Sequence, residues 1–267
     1  MNPQINALKN AFPFRLGTTS YILPADIVPN VKFLGPLVDD VELVLFESAD
    51  ISNLPDADAI AKLDELKQTH GISYTVHLPL DIELGSPDEA ERQRSVEKCL
   101  QVVDITEPLD PFAHIVHFHG EQRCTRPAED LERWKNRLDR SVGQLLSGGL
   151  EADQICVETL DYPFEHVAEI VSRHGLSVCI DIGHLLLYGY SVQEHVRDHL
   201  DRCRVVHIHG IHRERDHQHI GLMDPDILRS VLERLTSADA MNRVLTIEVF
   251  GQEDFEESIE VLADFGH

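Results

Sequence analysis

Residues 154–184, QICVETLDYPFEHVAEIVSRHGLSVCIDIGH, contain one complete strand–helix–strand unit. The apolar runs Gln154–Glu158 and Ser177–Asp181 have the length and residue types of buried β-strands. Between them, an apolar stripe at helical spacing predicts a helix, and His174-Gly175 predicts where that helix ends. A helix that connects two such strands predicts that the strands are parallel neighbours in one sheet.

The same alternation repeats along the whole chain. Eight β-like runs are predicted at Arg15–Ser20, Val41–Phe46, Ser73–His77, His114–His119, Gln154–Glu158, Ser177–Asp181, Arg204–His209 and Val244–Val249. The clearest helical stripe between them consists of Leu131, Trp134, Leu138, Val142 and Leu145. Eight strands alternating with helices over about 250 residues are typical of a TIM barrel. We therefore predict an α/β fold with a single (β/α)8 TIM barrel over residues 15–267, preceded by an N-terminal extension over residues 1–14.

The main alternative to a barrel is an open, doubly wound sheet. A dinucleotide-binding sheet of that kind would carry Gly-x-Gly-x-x-Gly after the first strand. The corresponding segment here, Gly17-Thr18-Thr19-Ser20, lacks this pattern. Interdomain linkers and internal repeats are not evident in the sequence, so a single barrel domain is the simpler prediction.

Composition excludes several classes of protein. The chain has 267 residues, of which 42% are hydrophobic, so it can bury a core and global disorder is not expected. Its 47 Asp and Glu against 23 Lys and Arg give a formal charge of −24, which repels the phosphates of duplex nucleic acid. Apolar runs of membrane-spanning length and a signal-peptide pattern within Met1–Phe14 are both missing, which predicts a cytoplasmic protein without a membrane partner. The five cysteines form no Cys-x-x-Cys pair, which favours buried, reduced thiols.

Most of the predicted strands end in residue types that bind metal ions. In a barrel, the carboxyl ends of the strands meet at one mouth. The residues concerned are His77, His117, His119, Glu158, Asp181, His184, His207, His209 and Glu248. Alternation places the two imidazoles of each His-x-His segment on one strand face, and because the outward face packs on helices, we expect them to face the mouth. Glu47 is either a mouth residue, by parity with Leu43 and Leu45, or a rim residue.

Burial of several carboxylates in one mouth predicts a metal site. Each buried charge costs on the order of several kcal/mol unless protons or cations neutralise it. Imidazole and carboxylate donors favour Zn²⁺, Mn²⁺, Fe²⁺ or Co²⁺ over Ca²⁺ or Mg²⁺. The sequence therefore predicts one or more divalent transition-metal ions at the mouth.

The order of these residues on consecutive strands resembles the xylose-isomerase-like barrel superfamily, and in particular the apurinic endonuclease family 2. The most specific segments are Val157-Glu158-Thr159, Cys179–His184 and Val206–His209. The resemblance implies one to three divalent ions per chain, with zinc first, in a centre that cleaves phosphodiesters and is bridged by Glu158. The ligands that it implies are His77, His119, Glu158, Asp181, His184, His207, Asp216, His217 and Glu248. It also implies catalytic roles for Glu158, Glu248 and His184.

One segment departs from the family pattern. The family's Asp-x-His is here Asp216-His217-Gln218-His219, which leaves open whether His217 or His219 binds the metal. Arg213 or Arg215, in the same loop, could pair with a substrate phosphate through its planar guanidinium, or could be an exposed ion-pair partner.

A finer resemblance concerns the substrate. Segments Phe14–Ile22, Asp39–Glu47 and Tyr74–Asp81 resemble the cobamide-remodelling hydrolases, which cut the phosphoester of the nucleotide loop of B12-type corrinoids. This implies a small-molecule substrate such as a cobamide. An acidic protein can act on such a substrate because the field of the metal ions suffices to bind its phosphate.

Two other functions remain open at this point. Superfamily members that are sugar or sugar phosphate isomerases or epimerases resemble this chain in the four residues Glu158, Asp181, His207 and Glu248, which hold one ion there, and the two glutamates also move protons. His77 and His119 discriminate, because only a multinuclear hydrolytic centre needs them as ligands. A barrel that stores or senses a corrinoid or a metal would instead have a closed coordination shell.

Overall fold

The computed structural model describes residues 7–48, 51–121, 128–213, 215–237 and 243–265. The strands are β1 (Arg15–Thr19), β2 (Asp40–Val44), β3 (Ser73–His77), β4 (Ala113–Val116), β5 (Ile155–Glu158), β6 (Ser177–Asp181), β7 (Cys203–Ile208), β8 (Gly210–His212), β9 (Arg215–Gln218) and β10 (Val244–Ile247). The helices are α1 (Ile27–Leu34), α2 (Ala57–His70), α3 (Glu89–Thr106), α4 (Leu131–Ser147), α5 (Glu165–His174), α6 (Ile182–Leu187), α7 (Val192–His199), α8 (Pro225–Ser237) and α9 (Gln252–Ala263). Residues 1–6 of the predicted N-terminal extension and residues 266–267 of the predicted barrel lie outside the described residues, as does Cys124.

Eight of the strands close into a parallel barrel in the order β1-β10-β7-β6-β5-β4-β3-β2. Each barrel strand therefore lies beside the next one along the chain, with helical structure between them, and the predicted (β/α)8 barrel is confirmed. The remaining strands, β8 and β9, pair antiparallel as a hairpin that follows β7. Hydrogen bonding in β4 ends at Val116, earlier than predicted, so His117–His119 continue beyond the sheet ladder.

Local signals in the sequence account for the helix ends. Gly71 and Gly175, which follow α2 and α5, adopt left-handed φ values of 61° and 70°. Glycine adopts this conformation without the Cβ strain of other residues, so both helices end where the His-Gly pairs predicted. The predicted stripe on α4 is buried from Trp134 to Leu145, facing the strands.

The interior of the barrel has a short apolar floor, which positions the site. Six small or medium-sized side chains fill it: Ala113, Ile115, Cys156, Cys179, Val205 and Val244. Side chains two positions further along a strand point into the same interior, one layer closer to the mouth. Glu158 therefore lies above Cys156, Asp181 above Cys179, and His207 above Val205.

The segment before β1 packs against the start of the barrel. Leu8 and Phe14 are buried, and the backbone N–H of Leu8 donates to the carbonyl of Leu37. Cys99, Cys156, Cys179 and Cys203 are free and buried, as predicted. Within the described ranges, none of the helices combines the length and apolarity needed to cross a membrane.

Candidate metal centre

Four buried side chains form what we call the central group: Glu158, Asp181, His207 and Glu248. One ligand atom from each lies within 4.8 Å of the others. His207 Nδ1 is 3.1 Å from Glu248 Oε2, 3.8 Å from Glu158 Oε1 and 3.9 Å from Asp181 Oδ2. All four of these atoms are buried without a hydrogen-bond partner.

This arrangement fits a divalent cation. Two ligand atoms that each lie about 2.1 Å from a tetrahedral zinc ion are roughly 3.4 Å apart, close to the distances between His207 Nδ1 and its carboxylate neighbours. Buried polar atoms without partners are costly, and a shared cation would satisfy all four at once. The central group therefore has the spacing, the donor types and the unsatisfied atoms of a metal site.

A second group shares Glu158. We call it the β3–β4 group; it consists of His77, His117 and Glu158. His117 Nε2 is 2.7 Å and His77 Nε2 is 3.4 Å from Glu158 Oε2. His77 Nδ1 lies 2.8 Å from the carbonyl of Leu78, to which it donates, so Nε2 is the nitrogen left to face Glu158. Because Oε1 faces the central group, Glu158 presents one carboxylate oxygen to each of these two groups.

The third group consists of imidazoles alone. His184, His209 and His217, the histidine group, offer nitrogens within 4.8 Å of one another. His209 and His217 stack with ring centroids 4.4 Å apart, and His209 Nε2 is buried without a hydrogen-bond partner. The ring of His209 packs directly over Gly183, where an added Cβ would lie 2.1 Å from its Cε1. Gly183 therefore provides the space for this imidazole.

Charges at the mouth are strongly coupled. Burial alone would raise the pKa of Glu158, but His117 and the other nearby imidazoles outweigh it and hold that pKa well below its usual range. Burial likewise lowers the pKa of His184, but Asp181 and Glu158 raise it to about 10. Burial also opposes the charge on His217, yet Glu248 and Asp216 raise its pKa to about 9. Protons on imidazoles thus balance the carboxylates here, and a divalent ion would compete with those protons for the same atoms.

Most of the predicted ligands meet in these groups. The members that were predicted as ligands are His77, Glu158, Asp181, His184, His207, His217 and Glu248. At the end of β4, however, His117 and not His119 reaches Glu158, since the chain turns out of the sheet ladder before His119. The ring of His119 instead lies 5.0 Å from that of His117.

The β8–β9 hairpin gives the two candidate histidines of the Asp216–His219 segment different neighbours. His217 Nε2 lies 3.5 Å from Glu248 Oε2, whereas His219 Nε2 lies 3.0 Å from Glu257 of α9. The geometry thus favours His217. Asp216, predicted as a ligand, is not in the groups found among the described residues and instead has its Oδ1 3.1 Å from His217 Nδ1. Asp216 can therefore orient His217.

The predicted phosphate-binding arginines lie on the same hairpin. Arg213 and Arg215 are both exposed. Arg213 has a left-handed φ of 49° at the turn between β8 and β9. They are thus accessible beside His217, and no contact with another described residue fixes either of them on a ligand position.

Sequence reasoning missed Glu42, and it placed His117 and His209 at the mouth without including them among the implied ligands. Glu42 Oε2 lies 2.9 Å from His207 Nε2, and both side chains are fully buried. The parity used for Glu47 was reversed, because Leu43 and Leu45 pack in the outer apolar layer while Asp40 and Glu42 point inside the barrel. Glu47 is partly exposed and forms a backbone bridge with Ser52, as a rim residue would. The available signal was the alternating Asp-x-Glu within an otherwise apolar strand.

The chain is thus a TIM barrel with clustered imidazoles and carboxylates at its mouth, and these side chains could hold metal ions. The profile of the Xylose isomerase-like TIM barrel family matches residues 33–265. The chain therefore belongs to the Xylose isomerase-like TIM barrel family.

Solved structures with the same fold include enzymes of different activities. The chain is similar to a D-tagatose 3-epimerase-like protein, with 20% identity, a TM-score of 0.77, and coverage of 94% of this chain and 97% of the other. It is also similar to 3-keto-D-glucoside 4-epimerase from E. coli, with 14% identity, a TM-score of 0.71, and coverage of 94% and 98%. Endonuclease IV from Thermus thermophilus matches with 18% identity, a TM-score of 0.69, and coverage of 94% and 98%. At these identities the likeness establishes the fold.

Proposed function

We propose that this protein is a divalent-metal-dependent hydrolase that cleaves a phosphoester or phosphodiester bond in a small molecule. The observation that carries the proposal is that Glu158 belongs to both the central group and the β3–β4 group. Its Oε2 is 2.7 Å from His117, and its Oε1 faces His207 at 3.8 Å. A single-ion site would need only the central group. The additional β3–β4 and histidine groups support a multinuclear centre of the kind that hydrolyses phosphate esters.

The proposed cofactors are one to three divalent ions per chain. Zn²⁺ comes first, with Mn²⁺, Fe²⁺ and Co²⁺ as alternatives, because the donors are imidazole nitrogens and carboxylate oxygens. Burial raises the pKa of the Cys179 thiol well above its usual value, so without a bound ion this nearby side chain is a neutral thiol. When bound, such ions polarise phosphate oxygens and lower the pKa of coordinated water to about 7.

The residues would divide the work as follows. Glu158 would join the central and β3–β4 groups. Glu248, whose Oε2 is 3.1 Å from His207 and 3.5 Å from His217, would join the central and histidine groups. His184, when it carries a proton, would donate it to the leaving oxygen. Arg213 and Arg215 would pair with non-bridging phosphate oxygens through their planar guanidinium groups.

A small substrate fits the charge of the chain. The formal charge of −24 disfavours binding of a duplex, whereas a single phosphate group can be held by cations at the mouth. The first substrate to test is a cobamide, because Phe14–Ile22, Asp39–Glu47 and Tyr74–Asp81 resemble the cobamide-remodelling hydrolases. The site of cleavage would be the phosphoester of its nucleotide loop.

The test combines metal analysis with a substrate panel. Purified protein loaded separately with Zn²⁺, Mn²⁺, Fe²⁺ and Co²⁺ is assayed on cobamides, simple phosphodiesters, free sugars and sugar phosphates. We expect more than one bound ion per chain and release of a phosphate ester product. Glu158→Gln should lose activity by several orders of magnitude, whereas Glu151→Gln, at an exposed position, should retain it. Metal binding without turnover of any substrate would instead indicate storage or sensing.

A sugar isomerase or epimerase is the second candidate. The observation that favours it is that the central group has two glutamates, Glu158 and Glu248, around one imidazole, a set that is sufficient for a single ion and two proton-transfer groups. One ion per chain at saturation, with exchange of a proton next to a sugar carbonyl, would replace the hydrolase proposal. His77→Gln would then leave the metal content unchanged.

A further inference from the structure

Glu42 is a fully buried carboxylate inside the barrel, on a strand that carries none of the predicted ligands. It lies on β2, in register with Thr19 of β1 and Thr75 of β3. Its side chain has 0% exposure, and so has that of His207, whose Nε2 lies 2.9 Å from Glu42 Oε2. An ionised carboxylate in such a place must be compensated by a donor or a cation. Among the described residues, His207 is the ion-pair partner that meets this need.

The contact fixes which nitrogen of His207 carries the proton. A neutral imidazole has one N–H, and a carboxylate can only accept a hydrogen bond. In the neutral form, which is the one that can bind a cation, the proton is therefore on Nε2, which donates to Glu42. Nδ1 is left with its lone pair toward Glu158 and Glu248, and it has no hydrogen-bond partner of its own. Glu42 thus presents His207 to the central group in the form that binds a cation.

We infer that Glu42 is the positioning residue of the central metal site, acting through His207. A carboxylate behind a metal-bound imidazole fixes the ring orientation and tautomer and raises the basicity of the ligating nitrogen. The inference rests on the metal centre of the proposed function, and it would hold for the hydrolase and the epimerase alike. Glu42 differs from the proposed ligands because it contacts Nε2 of His207, whereas Nδ1 is the nitrogen that faces the central group.

A direct ligand role for Glu42 is the competing explanation. One of its oxygens lies within 4.8 Å of ligand atoms of His77 and Glu248. Its second oxygen, Oε1, is buried without a hydrogen-bond partner. The two roles differ in the number of ions bound at saturation, because removal of a ligand can abolish a site, whereas loss of an outer carboxylate weakens it.

The test is a Co²⁺ titration of the metal-free protein, followed by visible absorption and by competition with a chelator. In Glu42→Gln, which keeps the shape, we expect the same number of ions at saturation, one of them bound about 10- to 100-fold more weakly, and a changed absorption band. Glu47→Gln, on the rim three residues after the end of β2, should match the wild type. Thermal unfolding of the metal-free variants checks that both are folded.

A double-mutant cycle with His207→Asn makes the test specific. If Glu42 acts through His207, then Glu42→Gln should have little further effect on Co²⁺ affinity in the His207→Asn background. Equal affinities of Glu42→Gln and wild type would overturn the inference, and so would loss of an ion from Glu42→Gln at saturating Co²⁺. If wild type binds Co²⁺ and Glu42→Gln weakens it, but no phosphate ester is cleaved, the proposed function fails while the inference stands. If the wild type binds no Co²⁺, both the proposed function and the inference about Glu42 are contradicted.

Discussion

Asp181 Oδ2 and His207 Nδ1 face each other across the adjacent strands β6 and β7 at a distance of 3.9 Å. The two residues are register partners, and both atoms are buried without a hydrogen-bond partner. The gap is too long for a hydrogen bond. The neighbours of this gap include His184 Nδ1, 3.0 Å from Asp181 Oδ2, and Glu248 Oε2, 3.1 Å from His207 Nδ1, so potential ligand atoms surround it.

Asp181→Asn tests this gap directly. In wild type, metal at 100 times its dissociation constant should stabilise the fold by about 2.7 kcal/mol, which raises Tm by about 5 °C in a chain of this size. In Asp181→Asn the amide replaces a charged ligand oxygen, and the shift should fall below about 1 °C at the same metal concentration. Differential scanning calorimetry with and without Zn²⁺ measures both. Asp226→Asn, on an exposed helix position, is the matched control, and an equal shift in Asp181→Asn would contradict the prediction.

The two histidines after β4 should behave differently. His117→Gln removes the imidazole that lies 2.7 Å from Glu158, so we expect loss of about one metal equivalent per chain. His119→Gln should keep the wild-type metal content, because His117 is the residue that reaches Glu158. Elemental analysis of the dialysed proteins makes the comparison. The reverse result, loss of metal from His119→Gln alone, would restore the assignment made from the sequence.

Alanine at two glycines should have opposite effects on stability. In Gly183→Ala the new Cβ would lie 2.1 Å from Cε1 of the buried His209, so the imidazole must move, with an expected destabilisation of about 1–3 kcal/mol. In Gly143→Ala, within α4, no atom lies within 4 Å of the new Cβ, and a stabilisation of about 0.5–1 kcal/mol is expected. Urea unfolding of the metal-free proteins gives both values. Gly183→Ala as stable as wild type would show that His209 is not held against this glycine.

His114 should make the fold sensitive to acid. Burial lowers the pKa of this imidazole to about 4, and neither ring nitrogen has a hydrogen-bond partner. Because the unfolded chain binds the proton more readily, stability is lost as the pH falls from about 6.5 toward 4. The loss due to His114 between pH 7.5 and pH 5 should be about 2 kcal/mol.

Replacement of His114 isolates this contribution. In His114→Leu the free energy of unfolding should fall less over the same pH interval, by about 2 kcal/mol. The measurement is urea unfolding of the metal-free protein at both pH values, so that protons are not competing with bound ions. Parallel pH dependences of wild type and variant would contradict the assignment of the acid sensitivity to this residue.

The fold and much of the candidate site follow from patterns within single strands. Alternation along a strand predicts that the last residue of Cys179-Ile180-Asp181 shares a strand face with the first, which is small and apolar. The same holds for Val205-Val206-His207. Barrel closure then converts a position on a strand into a position at the mouth. The choice between His117 and His119 does not follow in this way, because it depends on where the chain leaves the sheet ladder.

The sequence by itself determined the barrel, the strands that line it and the ligand types at their carboxyl ends, because periodicity and strand order are local properties of the chain. Only the tertiary structure decided that Glu42 stands behind His207, that His209 packs over Gly183, and that His217 rather than His219 turns inward. Those contacts join residues from different strands and loops, and the register and twist that set their distances arise when the barrel closes.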